Sequence, residues 1–190
     1  MRSAFIVIGV LLFGALVVGG NLVSSRNELV TKREAIEAAW AQVDVALQRR
    51  ADLIPNLVNT VKGYAAQEKE IYTNIANARA ALNSARTQGD KIAANAQLDS
   101  ALARLLVVVE SYPQLKSNEN FMRLQDELAG TENRIAVERR KYNEVVQDYN
   151  TTRDKFPANI AASLFGFARH DAYFNTDPGA RSVPKVDFSK

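Results

Sequence analysis

The chain begins with a continuous apolar run and then becomes periodic. From Ser3 to Gly20 it reads SAFIVIGVLLFGALVVGG without a charge, and Asn21, Leu22 and Val23 extend the run. At ~1.5 Å per residue, about 20 residues cross the ~30 Å hydrocarbon core of a bilayer. Past Arg26, the residues Leu29, Ile36, Trp40, Val43 and Leu47 recur at intervals of seven, four, three and four, with Arg33 in the vacant place on that face. This is the stripe of an amphipathic helix. No proline or turn cluster separates run from stripe. The pattern therefore predicts one rod to about Arg50, with Gly19, Gly20 and Asn21 the place where it would bend.

Beyond Arg50 the signals predict breaks. Asp52 suits a helix N-cap and Pro55 a first turn, so a second helix is expected from there to about Arg86. Its inner residues would be Leu57, Val58, Val61, Tyr64, Ile71, Tyr72, Ile75, Ala78 and Leu82, and Thr87-Gln88-Gly89-Asp90 reads as its stop. A shorter third helix would carry Ile92, Leu98, Leu102, Leu105, Leu106 and Val109, ending at Tyr112-Pro113. The fourth and longest is expected from Ser117 or Asn118 to Lys155, with Phe121, Leu124, Leu128, Ile135, Tyr142, Val145, Tyr149 and Phe156 inward. Its outer face offers Arg123/Glu127, Arg134/Glu138 and Arg140/Glu144 at i,i+4, pairs that add only ~0.2–0.5 kcal/mol each. Ile160 to Phe167 is a short amphipathic stretch before an irregular tail. The fold class is all-α: a single N-terminal transmembrane helix followed by an elongated antiparallel bundle of long helices. The division expected is 1–23 anchor, 24–168 bundle and 169–190 tail.

The first run has three readings. A cleaved signal peptide would have a shorter apolar core and a small-x-small site, which Ala15-Leu16-Val17 and Val18-Gly19-Gly20 match only loosely. A buried core helix conflicts with apolarity on all sides in a chain that has its own core. An uncleaved anchor fits best. Gly9, Gly14 and Gly19 recur every fifth residue, which is not the small-xxx-small spacing of a dimer. Arg2 on one flank against Arg26, Lys32 and Arg33 on the other leans toward a cytoplasmic body, with the opposite side still open.

Composition narrows the chemistry. With no cysteine, disulfides, thiolate metal sites and cysteine nucleophiles all disappear. The net charge of +3 is spread over 24 basic and 21 acidic residues, so no basic run marks a nucleic-acid site. Tyr64, Tyr72, Tyr112, Tyr142 and Tyr149 sit at helical spacing and read as core-edge residues. The lone histidine, His170, reads as an ordinary surface residue in a loop. Glu34/Glu37, Glu68/Glu70 and Asp126/Glu127 lack the histidine three residues on that a di-iron bundle uses. Gln48-Arg49-Arg50-Ala51-Asp52 is the densest charged cluster, either a capped joint or a contact for a neighbouring protomer or lipid phosphates. No cofactor or metal is expected.

Residues 33–64, REAIEAAWAQVDVALQRRADLIPNLVNTVKGY, resemble the first signature of the LemA family, and 112–150, YPQLKSNENFMRLQDELAGTENRIAVERRKYNEVVQDYN, its second. FPANIAASLFGF and VPKVDF match as well. The resemblance implies one membrane span, a helical-bundle body usually drawn in the cytoplasm, and no established enzymatic activity. It also implies kinship with membrane-shaping components of magnetosome-forming bacteria and, in many genomes, a gene that lies near that of a membrane-bound heat-shock metalloprotease. The matching positions are Trp40, Asp44, Arg49, Arg50, Asp52, Pro55 and Asn56, then Asn120, Gln125, Glu127, Thr131, Glu132, Asn133 and Arg134. Of these, Trp40, Asp44, Arg49, Arg50, Asp52, Asn56, Gln125, Glu127, Glu132 and Arg134 are the candidate contact or joint residues. Three functions compete: a self-associating membrane scaffold, an adaptor for a membrane protein such as the metalloprotease, and a carboxylate-metal enzyme. The first is preferred. Its partners would be membrane lipid and further copies of the chain, not nucleic acid.

Overall fold

A computed structural model describes residues 2–174. Among them are six helices and no strand: α1 Arg2–Lys62, α2 Lys69–Ser84, α3 Gln88–Val109, α4 Pro113–Lys116, α5 Glu119–Asp154 and α6 Ala158–Phe165. The rod expected to reach Arg50 runs without interruption to Lys62. Its 61 residues span roughly 90 Å at ~1.5 Å each.

The first correction concerns Pro55. It begins no second helix but lies inside α1, and Asp52 accepts a bond from Gln48 Nε2 (2.9 Å) within the same helix. A proline in a helix interior withholds the N–H that the carbonyl four residues earlier would accept, which here is that of Ala51. The loss is met from outside the helix. Arg79 of α2 donates Nε–H to the Ala51 carbonyl at 2.8 Å. Buried Ile54, Leu57, Val58 and Val61 then carry the helix through. It ends instead at Gly63, where Tyr64 and Ala65 both donate to the Val61 carbonyl.

The second correction concerns Thr87-Gln88-Gly89-Asp90, expected as a stop. The chain is extended at Ala85 and Thr87, and Thr87 Oγ1 accepts from the Asp90 amide (3.0 Å) as the N-cap of α3. Asn118 caps α5 in the same way through the Phe121 amide (3.0 Å). Tyr112-Pro113 opens the single turn α4.

Cross-helix bonds set the directions. Lys32–Asp148, Arg50–Glu132 (2.8 Å) and Asn118 Nδ2 to the Tyr64 hydroxyl (3.0 Å) run α5 antiparallel to α1. Arg79 to Ala51 and the Tyr72 hydroxyl to the Ala65 carbonyl (2.7 Å) turn α2 back along α1. Gln88 to Glu37, Lys91 to Asp44 and Arg50 to Asp99 bring α3 up again. The result is an up-down-up-down bundle. Leu29, Ile36, Val43 and Leu47 of α1 are buried, as are Phe121, Ile135, Tyr142 and Val146 of α5.

Four expected inner residues lie elsewhere. Tyr64 and Leu106 are exposed, Val146 takes the place expected for Val145, and Phe156 is 80% exposed. On the outer face Glu138 pairs with Lys141 at 3.0 Å rather than with Arg134.

Below Glu37 the α2–α3 hairpin gives way to a different cover. α6 packs on α1 and α5 through Ala158, Ala161 and Ala162. Gly166 (φ 71°) then reverses the chain in the left-handed conformation that favours glycine, with the Phe167 amide bonded to the Ala162 carbonyl at 2.9 Å. Residues 167–174 return along the bundle without regular structure. The rest of the expected tail, with Pro178, Gly179, Pro184 and VPKVDF, lies outside the described residues.

Residues 5–18 of α1 are exposed on every side. α3 is also long and apolar enough to cross a membrane, but its apolar stripe, with Leu98, Leu102 and Leu105, is buried in the bundle.

Candidate functional site

Two polar assemblies occupy the interior. The first is a charged seam where α1, α3 and α5 meet. Arg50, only 8% exposed, reaches Asp99 of α3 and Glu132 of α5 (2.8 Å). Arg139 stands 3.8 Å and 3.9 Å from the same two carboxylates, and Asn95 Nδ2 donates to Asp99 at 2.9 Å. Two turns below, Lys91 holds Asp44. Polar residues thus recur on α3 at 88, 91, 95 and 99, along the edge of its apolar stripe. A buried guanidinium is tolerable only with carboxylates that satisfy it, and Arg50 has two.

The second assembly is an aromatic lock toward the anchor end. The Trp40 ring meets Tyr142 edge-on (5.3 Å) and stacks on Phe174 (5.9 Å). The Tyr142 hydroxyl lies between Gln88 Oε1 (3.0 Å) and His170 Nε2 (2.9 Å). An amide oxygen can only accept, so Tyr142 donates to Gln88 and His170 presents Nε2–H to Tyr142. Gln88 in turn donates to Glu37 at 3.3 Å. Burial, with Glu37 and Tyr173 adding to it, raises the Tyr142 phenol far above its ordinary value. His170 is therefore not the ordinary surface residue expected.

Two asparagines one heptad apart hold the returning segment. Asn143 donates to the Phe174 carbonyl (2.8 Å) and accepts from the Phe174 amide (3.0 Å). Asn150 does the same with His170 (2.7 and 3.0 Å). A carboxamide carries the donor and acceptor of a peptide group, so each asparagine satisfies backbone that has no helix or sheet partner.

The expected contact residues divide sharply. Trp40 belongs to the lock, Asp44 to the Lys91 pair, and Arg50 and Glu132 to the seam. Gln125 lines, with Arg50 and Glu132, an open groove of about 360 Å³ floored by Leu57, Leu102 and Leu128. Arg49, Asp52, Asn56, Glu127 and Arg134 are exposed and are not brought together. The densest charged cluster is thus neither joint nor uniform surface: Arg50 is inside, while Gln48, Arg49 and Asp52 face outward.

Asp99, Arg139, Lys91, Gln88, Asn143 and Asn150 were not singled out from sequence. Asn95 and Asp99, four residues apart beside Leu98 and Leu102, were a readable sign of polarity on an inner face. No group of three or more histidine, aspartate or glutamate side chains converges as a metal site among the described residues.

Fold and interior define a class: an all-α bundle built on one long helix whose first third is apolar on every side. The chain belongs to the LemA family, whose model matches residues 39–188. Magnetosome protein MamQ 2 of Paramagnetospirillum magneticum is 30% identical over 201 residues, covering 92% of this chain and 73% of that protein. MamQ of Magnetospirillum gryphiswaldense is 27% identical over 184 residues, covering 83% and 67%. Protein LemA of Metamycoplasma hominis is 25% identical over 141 residues, covering 74% and 64%. None of these names is that of an enzyme. Kinship and the apolar helix together fit a membrane-associated protein.

Proposed function

We propose that the chain is a non-enzymatic scaffold that spans the membrane once through residues 3–23, holds its bundle at the bilayer surface, self-associates there and organises membrane. The observation that carries this reading is the continuity of α1 from Arg2 to Lys62. A helix without a joint transmits orientation, so the body stands at a defined angle instead of swinging on a tether. The interior supports the same reading, since its charges are paired with one another and its polar groups hold helices together. Kinship with proteins named for magnetosomes supports a membrane-organising role. Arg26, Lys32 and Arg33 beyond the apolar run, against Arg2 before it, support a cytoplasmic body by the positive-inside rule.

The test is reconstitution of the full chain into liposomes at rising density, with size by light scattering and shape by electron microscopy. Discrete oligomers and altered liposome shape are expected. A strict monomer on unaltered liposomes would reject the scaffold.

A second reading, an adaptor for another membrane protein, draws on an open groove of about 590 Å³ between α1 and α2, lined by Pro55, Val58, Tyr72, Ile75 and Arg79. Cross-linking in native membranes separates the two. Self-adducts support the scaffold, and one stoichiometric foreign partner supports the adaptor.

A further inference from the structure

α6 carries an apolar face that the bundle does not cover. Its alanines 158, 161 and 162 are buried against α1 and α5, while Ile160 (49%), Leu164 (65%) and Phe165 (44%) are exposed beside Phe156. Together they form one patch at the turn between the descending α5 and the returning segment. Scattered exposed apolar residues are normal, but a contiguous group on a helix that could have buried them marks a contact surface.

The height of the patch identifies what it meets. The guanidinium of Arg26 lies 5.6 Å from the centre of the Phe165 ring, and that of Arg33 lies 5.6 Å from the Phe167 ring. Arg26 is three residues beyond Val23, about 4.5 Å along the helix axis. The polar layer on each side of the hydrocarbon core is roughly 5–7 Å thick. α6 thus lies within the headgroup layer when residues 3–23 span the core. α5 ends at the same level, since Lys32 pairs with Asp148 and Asp154 lies six residues further down.

We propose that α6 and Phe156 form a second membrane contact, an interfacial wedge seated in the headgroup layer of the leaflet from which α1 emerges. A short helix with alanines toward the protein and large apolar side chains on the other face fits an interfacial element. The patch lies at the level of Arg26, just beyond the apolar run of α1, so one bilayer reaches both. The wedge and α1 contact the membrane at two points and fix the tilt of the bundle. This inference rests on residues 3–23 being the span.

The chain has no cysteine, so single-cysteine variants report position directly. The full-length variants I160C, L164C, L12C and V107C are labelled with an environment-sensitive fluorophore and reconstituted into liposomes carrying lipid-bound quenchers at shallow or deep positions. All four sites are exposed, so the labels leave the core intact. Val107 lies at the end of the bundle remote from the anchor and serves as the aqueous reference. Probes at 160 and 164 are expected to lose emission to the shallow quencher and much less to the deep one, since an interfacial helix sits only about 5–10 Å into the headgroup boundary. The probe at 12 should respond to the deep quencher and the probe at 107 to neither. Quenching at 12 with 160 and 164 behaving like 107 would overturn the wedge while leaving the anchor intact. Absence of quenching at 12 would instead reject the span. Cross-linking between copies at 160 or 164 without quenching would assign the patch to a second copy of the chain and also overturn the wedge.

Discussion

The two parts of α1 share one backbone and differ in everything around it. In residues 5–18 the large side chains point outward on all sides and none is buried. In residues 29–61 one face is buried, from Leu29 through Ile36, Val43, Leu47 and Ile54 to Val61, and the opposite face is mainly polar or alanine. Both parts are apolar enough to be helix, so propensity does not separate them. The distribution of apolar residues around the axis does: a full circumference calls for an apolar surround, and a stripe calls for a partner helix. α1 also passes two places where local chemistry would end or bend it, Gly19-Gly20 and Pro55.

The strongest way to break this comparison is to remove an apolar side chain from each part. Ile36→Ala should cost about 2–5 kcal/mol in urea unfolding of the detergent-solubilised protein, as buried large-to-small changes do. Leu12→Ala should stay within about 0.5 kcal/mol, as changes outside a core do. Equal losses would mean that the apolar run belongs to the bundle core.

A smaller effect tests how α1 survives its proline. Arg79→Met leaves the Ala51 carbonyl buried without its donor, at a cost of about 1–3 kcal/mol. Adding Pro55→Ala restores the helical N–H and should recover most of that loss. A double-mutant cycle without coupling would show that Arg79 does not compensate for the proline.

The lock gives a pH dependence confined to the bundle. Burial raises the phenols of Tyr72, Tyr142 and Tyr149 above 10.0, although Arg153 and Arg33 pull Tyr149 back. The native state then keeps protons that the unfolded chain releases, so stability is fully present below pH 10.0 and falls as pH rises beyond it. Tyr142→Phe should flatten this decline in denaturation series from pH 8 to 11. An unchanged slope would remove Tyr142 from the account.

The smallest expected effect sharpens the contrast from the solvent side. Gly130 lies inside α5 with nothing within 4 Å of the position a Cβ would take. Gly130→Ala should stabilise by about 0.5–1 kcal/mol in the same unfolding measurement.

The stripes were legible because burial imposes helical periodicity, and the caps at Asn118 and Thr87 lie where their chemistry allows. Thr87 reads as the end of a helix because Thr-Gln-Gly-Asp suits a turn and a cap alike. Only the extended backbone at Ala85 and Thr87 decides. Pro55 misled because its compensating donor, Arg79, lies 24 residues further along the chain. Trp40 stands out on the apolar stripe and Arg50 in the charged cluster, while Glu132 is marked only by its match to the family signature. Trp40 meets Tyr142 of α5, and Arg50 meets Asp99 of α3 and Glu132 of α5, each from another helix, and pairing at that separation has no local signature. His170 and Phe174 were hidden for the same reason, since an irregular segment shows no period that would reveal its burial.

The central claim is that apolar run and bundle stripe form one unbroken helix, and a single distance tests it. Spin labels at Val10→Cys and Val45→Cys, both on exposed positions, are separated by 35 residues. In the full chain reconstituted into liposomes, a continuous helix predicts one narrow distribution near 50 Å at ~1.5 Å per residue. A broad or markedly shorter distribution would show a joint near Gly19-Gly20 and contradict the claim.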